Sequence, residues 1–442
     1  MSAKSVLLVI MPLTWPKMPP IGIGYLQAFL SQKGIHADIA DFNQSFYNIS
    51  GRGLQKEWLV SCNANLEDTV LSLIRKNNVK AYQSALDKML SYDVIGFSCF
   101  KSNYDTTLTL VEILKSKKNN LEIVLGGPEI TRQYFKEEDT FPQKVTDKVD
   151  CLIVGEGELP LYRYLKGDAI CERVILFEQL KDLTELRFPL YTGLDIASYP
   201  QKNTVPIQLS RGCVRRCNFC SERLLYKNFR MRTIKSVLDE IGYHKTHNNT
   251  RYFVFYDSLI NADLRKCEEL CDAIIERYGS ISWEAQIAVR NDMPKTLFKK
   301  IKKSGCYNLF VGLESGSNRI LKEMNKGFDT DDALTFFENL HSAGLFFGIS
   351  IIVGYPGETE QDFQESLDFV LKHKDLIPQI AQINPYSYYD GTIANKDADY
   401  KINPDAMMRM EIFVREIKRH RFRHTNAFIG NLIEKNVKDY RS

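Results

Sequence analysis

The run Arg211-Gly-Cys213-Val-Arg-Arg-Cys217-Asn-Phe-Cys220 places three cysteines in a Cys-x-x-x-Cys-x-x-Cys spacing. Three thiolates this close together can hold one metal centre on a single loop. They are one fewer than full protein ligation of a four-iron cluster requires. A structural zinc site is normally closed by a fourth ligand nearby, and the nearest downstream histidines, His244 and His247, lie beyond a predicted helix. The economical reading is a [4Fe-4S] cluster held by Cys213, Cys217 and Cys220, with one iron open to a substrate or cofactor. A zinc site, or three unrelated thiols, is the alternative.

The loop follows a short apolar run that reads as a strand, and the same alternation continues downstream. Strands are expected near 205–210, 251–256, 281–288, 307–313, 346–353 and 379–386, with helices between them. Six βα units give a partial, open barrel, and the cysteine loop then stands on its C-terminal rim, where such barrels do chemistry. Upstream, Ser5 to Met11 is a continuous apolar run of the length of a buried parallel strand. Further strands are expected at 36–41, 92–98, 121–125 and 149–154, with helices at 19–33, 53–91 and 105–115 between them. Residues 1–165 therefore read as a doubly wound α/β domain whose glycine-rich turns fall at strand C-termini, where these sheets bind ligands. Residues 166–204, with Pro189 and Pro200, read as a linker, 205–395 as the barrel, and 396–442 as a helical extension. In that extension Arg409, Arg415, Lys418, Arg419, Arg421 and Arg423 outnumber Glu411 and Glu416. Such a face is a docking surface or a solvated one.

The 442 residues leave room for two or three domains. With 58 basic and 55 acidic residues, the net charge of +3 argues against nucleic acid as a partner. The start, Met1-Ser-Ala-Lys-Ser5, has no signal-peptide pattern. The longest apolar stretch, around Leu345 to Val353, is too short to span a bilayer, so no membrane partner is expected. Ten cysteines without regular pairing fit a reducing cytoplasm. All but the trio, including Cys267 and Cys271, read as small buried fillers.

The cysteine spacing resembles the signature of the radical S-adenosylmethionine (SAM) superfamily, in which the amino and carboxylate groups of SAM fill the open iron position. The resemblance covers 205 to about 395 and implies further SAM contacts. Phe219 occupies the position whose backbone lies against adenine, and Gly212 lets the loop bend. In Phe310-Val-Gly-Leu-Glu314-Ser315-Gly316, Glu314 and Ser315 match ribose or methionyl contacts; a turn capping the next helix, with Ser315 as N-cap, is the alternative. Arg290 is a partner for the SAM carboxylate or a member of a surface ion pair. Gly354, in Gly354-Tyr-Pro-Gly-Glu-Thr359, belongs to a turn supporting adenine. One departure is clear: the Gly-Gly-Glu that binds the SAM amino group reads Tyr256-Asp257-Ser258 here, leaving Asp257 as its substitute.

The front domain resembles the cobalamin-binding, Rossmann-like domain that precedes the barrel in one radical SAM subclass. Its matching pieces contribute Pro20 and Gly22, Ser98, Gly126, Gly127 and Glu129, and Gly155, Glu156 and Gly157. Asp-x-His-x-x-Gly, which gives a histidine to cobalt in other corrinoid proteins, is missing, and the setting of His36 does not match it. Together the resemblances imply a cobalamin-dependent radical SAM methyltransferase acting on an unactivated carbon of a peptide, protein or small molecule, through a 5′-deoxyadenosyl radical and methylcobalamin. They also imply a low-potential electron donor such as flavodoxin or ferredoxin. Cyclisation, rearrangement or oxidation without methyl transfer is the alternative outcome, and a non-catalytic corrinoid or iron–sulfur carrier is the alternative class. A methylthiotransferase would need three N-terminal cysteines for a second cluster, and Cys62, Cys99 and Cys151 fall outside that pattern. Tyr386, Tyr388 and Tyr389 are candidates to line a substrate pocket.

Overall fold

Val6–Ile10 is buried at every position, so it forms a central strand, β1, flanked by neighbours on both sides. The computed structural model describes residues 4–56, 74–137, 147–168, 173–386, 391–394 and 404–424, with Trp58, Ser72, Phe141, Val145 and Tyr389. They divide into two compact units.

The first unit is built on a parallel sheet of β1, β2 (Ala37–Asp41), β3 (Val94–Ser98), β4 (Glu122–Gly126), β5 (Cys151–Val154) and β6 (Val174–Leu176), in the order 2-1-3-4-5-6. Apolar layers cover both faces of this sheet, one centred on Leu7, Ile95 and Leu125, the other on Leu8, Val94 and Val124. The chain changes direction between β1 and β3, and sheets of this order bind ligands at that switch point, beyond the strand C-termini. The linker expected at 166–204 is corrected here. Its apolar Val174-Ile-Leu176 pairs with β5 as the sixth strand, and Leu180, Leu183 and Leu186 pack with Tyr25 and Phe29. The expected helical stretch at 53–91 contains the helix Val79–Leu90; residues 57, 59–71 and 73 lie outside the described set.

The second sheet has the order β7 (Thr204–Ile207), β8 (Tyr252–Phe255), β9 (Ser282–Ile287), β10 (Cys306–Glu314), β11 (Phe347–Val353) and β12 (Ile380–Pro385), and its strands from β8 on make up the second unit's sheet. The pairings from β8 to β12 are parallel. This is the expected six-strand alternation. Between strands, helices start on side-chain caps, as Asp329 before Thr330–Ser342 and Thr359 before Glu360–Lys372 show by reciprocal capping boxes. The unit is not continuous in sequence, because Leu224–Arg232 and Tyr243–Thr250 belong to the first unit. Beyond the barrel, the helix Pro404–Arg419 packs on β11 and β12. No helix among the described residues is long and apolar enough to cross a membrane.

Candidate functional site

The cysteine loop is anchored at its base by Asp257. Its carboxylate is fully buried and accepts from the Leu209 amide (3.0 Å), the Ser210 amide (2.5 Å) and the Ser210 hydroxyl (2.5 Å). Asp257 therefore shapes the loop from beneath, which corrects its expected role as a direct SAM contact. Arg215 fixes the loop from its other side, donating to the carbonyls of Val289 (2.8 Å) and Lys326 (3.2 Å). Asn218 bonds Met324 and Glu323 backbone oxygens, and Asn325 returns a bond to the Arg216 carbonyl. The loop is thus stitched along 323–327, a segment that sequence reading assigned no function.

Cys213, Cys217 and Cys220 form no disulfide and are half-buried. Burial pushes the Cys220 thiol up to about 12, with the charges of Glu222 and the other two cysteines adding to it, and burial likewise raises Cys213. Loss of the proton here requires a compensating cation, which iron would supply, and the Arg215 amide already points at Cys213 Sγ (3.4 Å). The donor set fits a cluster. No three His, Cys, Asp or Glu side chains among the described residues converge on one metal ion, and a cluster whose thiolates each bind their own iron does not ask it of them.

Glu314 ends β10 with φ +73°, a conformation rare for a residue with a side chain. Its carboxylate is buried, accepting from Ser350 Oγ (2.8 Å) and facing Lys326 Nζ at 3.4 Å. It folds over Gly312, where an added Cβ would sit 2.4 Å from Glu314 Oε1. Lys326 Nζ is also 5.7 Å from the ring centre of Phe219, which packs edge-on against Tyr355. Phe219, Glu314 and Lys326 therefore form one neighbourhood beside the cysteine loop. Only Lys326 was missed, because one lysine among many, twelve residues beyond Glu314, carries no spacing signal.

Other candidates are used differently. Arg290 grips Asp292 with two bonds (2.8 and 2.5 Å) and donates to the Asn261 and Ala262 carbonyls (both 2.9 Å), so it is an ion-paired brace. Ser315 is buried against Ser366 Oγ (2.9 Å), and Ser317 is the N-cap residue of Asn318–Glu323, not Ser315. Gly354 lies beneath the C-terminal helix: an added Cβ would meet Ala406 Cβ at 2.3 Å, and Arg409 clamps Glu358 of the same turn (2.9 Å). Arg409 is thus structural, while Arg415 and Arg419 stay solvated. Tyr386 is buried beside Tyr355; Tyr388 lies outside the described residues.

In the first unit, Pro20 and Gly22 open the helix Ile21–Gln32 after β1, Ser98 ends β3, Gly126 ends β4, and Gly155 follows β5. All stand at the C-terminal edge, the side on which sheets of this order bind ligands. Gly127, at φ +100°, is required by the fold itself, since an added Cβ would meet Cys99 backbone atoms at 2.7 and 2.8 Å. Gly22 is required by nothing internal, with no atom within 4 Å of an added Cβ, and Gly126 has only ordinary contacts. Small residues at positions where the fold would accept a side chain fit a flat ligand lying against the turn. Gly155 donates to Thr131 Oγ1 (2.9 Å), and Gly157 comes close to Leu26. Two acidic candidates are corrected: Glu129 is buried in a fork with Arg132 (2.8 and 2.5 Å), and Glu156 is buried in a pair with Arg230. His36 is exposed at the opposite, N-terminal end of β2.

Residues 207–370 match the model of the radical SAM superfamily. An uncharacterized methyltransferase of Pyrococcus horikoshii is 26% identical over 69% of this chain and 69% of its own length. Other relatives are named as methyltransferases and as methylthiotransferases. The cobalamin-dependent radical SAM enzyme OxsB superposes with a TM-score of 0.66 at 16% identity, covering 98% of this chain, which spans only 56% of the OxsB chain. The radical SAM methyltransferase TsrM from Kitasatospora setae, solved with cobalamin and a [4Fe-4S] cluster, gives a TM-score of 0.69 at 14% identity over 89% of this chain and 77% of its own. These two likenesses are of fold.

Proposed function

From a chain that carries a radical SAM domain over residues 207–370, we propose a cobalamin-dependent radical SAM methyltransferase that methylates an unactivated carbon. The observation that carries this reading is the pairing, in one chain, of the half-buried cysteine trio with a parallel sheet whose C-terminal edge carries Gly22, beside which an added Cβ would meet open space, and Gly126, where it would meet only ordinary contacts. When bound, the cluster, SAM and cobalamin supply a reductively formed 5′-deoxyadenosyl radical and a transferable methyl group. The chain's own work is placement. Cys213, Cys217 and Cys220 hold the cluster, Asp257 and Arg215 fix their loop, and Glu314, set by Lys326 and Ser350, offers acceptor oxygens to SAM. Cys99 and Cys151 are buried within the first sheet's core, which does not favour a second cluster of the methylthiotransferase kind.

Reconstituted protein given hydroxocobalamin, SAM and a low-potential reductant tests this without knowledge of the substrate. The expected result is one S-adenosylhomocysteine per corrin bound, alongside 5′-deoxyadenosine. Deoxyadenosine with no corrin bound and no S-adenosylhomocysteine would refute methyl transfer and leave radical cyclisation, rearrangement or oxidation as the reading.

A further inference from the structure

Glu284, midway along β9, is a carboxylate with no ion-pair partner among the described residues. Its alternation neighbours Trp283 and Ala285 are buried, as are Phe253 and Phe255 of β8, and the Phe255 and Trp283 rings meet at 5.3 Å. By the two-residue period, Glu284 and Gln286 face the other, inner side of the open barrel, together with Tyr252 and Tyr256. A β-bulge adds to this group. The β9–β10 register runs Trp283 with Cys306 and then Glu284 with Asn308, leaving Tyr307 as the extra residue. Bulges of this kind re-aim a side chain; here Tyr307 turns to the inner side, where burial and the neighbouring Glu284 charge push its hydroxyl well above the usual tyrosine range and its ring meets Tyr252 edge-on at 6.0 Å. Asn308 Nδ2 donates to Glu284 Oε2 (3.1 Å), while its own Oδ1 is buried with no partner.

The result is a carboxylate held by the Asn308 amide and flanked by three tyrosines that stay 44%, 50% and 39% exposed at Tyr252, Tyr256 and Tyr307. Aromatic faces around an unneutralised carboxylate suit a cation. We propose that this inner-face group anchors the ammonium of an extended substrate, such as a lysine side chain or amino terminus of a peptide. The proposal rests on the radical SAM reading for its chemistry. Glu314 lies on the same inner side of β10, six residues beyond Asn308, or roughly 20 Å at the usual strand rise. A molecule reaching from one to the other is therefore elongated, of the order of six peptide residues.

Ligand-observed NMR on reconstituted protein, with n-hexylammonium as probe and 1-hexanol as its neutral counterpart, tests the anchor independently of turnover. Wild type should bind the ammonium at least about tenfold more tightly than the alcohol. Glu284→Gln, which keeps an acceptor oxygen for Asn308, should lose that preference while retaining iron and SAM cleavage. Tyr307→Phe should weaken the preference by a smaller factor. Equal binding of the two probes to wild type, or an undiminished preference in Glu284→Gln, would overturn the proposal. Failure of the radical reading would show itself separately, as wild-type protein that prefers the ammonium yet never cleaves SAM.

Discussion

Replacing Lys326 with Met removes the ammonium that faces Glu314 while keeping most of the buried stem. The two side chains are 10% and 12% exposed and 3.4 Å apart, so their gross attraction at an effective dielectric of about 20 is roughly 5 kcal/mol. Removing one member of a buried pair typically costs about 3–5 kcal/mol, because the other charge stays desolvated. Here Ser350 Oγ still donates to Glu314, which places the expected loss near the lower end, about 3 kcal/mol. In a barrel of this size that is a fall in midpoint of roughly 6–12 °C. Trp283 is the second unit's only tryptophan, so a background with Trp15 and Trp58 changed to Phe lets fluorescence report that unit alone. The cycle with Glu314→Gln should show coupling of at least about 1.5 kcal/mol. If Lys326→Met stays within about 0.5 kcal/mol of wild type, or the two changes are additive, the pair is not what holds Glu314 in place.

Two further outcomes follow from the first unit. Burial raises the Asp41 carboxyl to about 6, against smaller lowering by the Gln44 amide and the Tyr199 hydroxyl (2.7 Å). The folded state therefore holds this proton more tightly than the unfolded chain, and stability present below pH about 4 is lost as pH rises through about 6, by up to about 3 kcal/mol. His244, kept neutral by burial with its pKa lowered to about 4, acts in the opposite direction over nearly the same window. Urea titrations of wild type and Asp41→Asn across pH 4–7 should isolate the Asp41 contribution as their difference; parallel curves would contradict it. The glycines separate fold from ligand: Gly127→Ala should destabilise the unit, through positive φ and the Cys99 contact. Gly22→Ala should leave stability equal or higher, since Ala is the better helix former, yet weaken hydroxocobalamin binding in equilibrium dialysis. Unchanged dialysis would remove Gly22 from the corrin site.

The first sheet was legible because parallel strands buried on both faces write continuous apolar runs, as Val6–Ile10 does, and the second through apolar segments such as Phe347–Val353, broken only by Gly348 and Ser350. The sixth strand, Val174–Leu176, escaped because three residues are too short for periodicity and Pro189 and Pro200 dominate its surroundings. The cysteine spacing was a local signal and was read directly. Asp257 and Glu129 were misjudged, and Arg290 left between two readings, for one common reason: sequence shows a charge near a strand end but not the buried amide, carbonyl or ion pair that claims it. Lys326 and Glu284 went unseen for the complementary reason. Their significance lies in what the fold brings opposite them, Glu314 in one case and a bulged Tyr307 in the other.

The central claim is that Cys213, Cys217 and Cys220 hold a cluster that cleaves SAM. Its most direct measurement is 5′-deoxyadenosine formed from SAM by anaerobically reconstituted protein with dithionite, set beside iron content, for wild type and for the variant with all three changed to Ala. The account predicts about four irons per wild-type chain, steady release of 5′-deoxyadenosine, and neither from the triple variant. A triple variant that keeps the full iron content, or a fully loaded wild type that releases no 5′-deoxyadenosine, would contradict it.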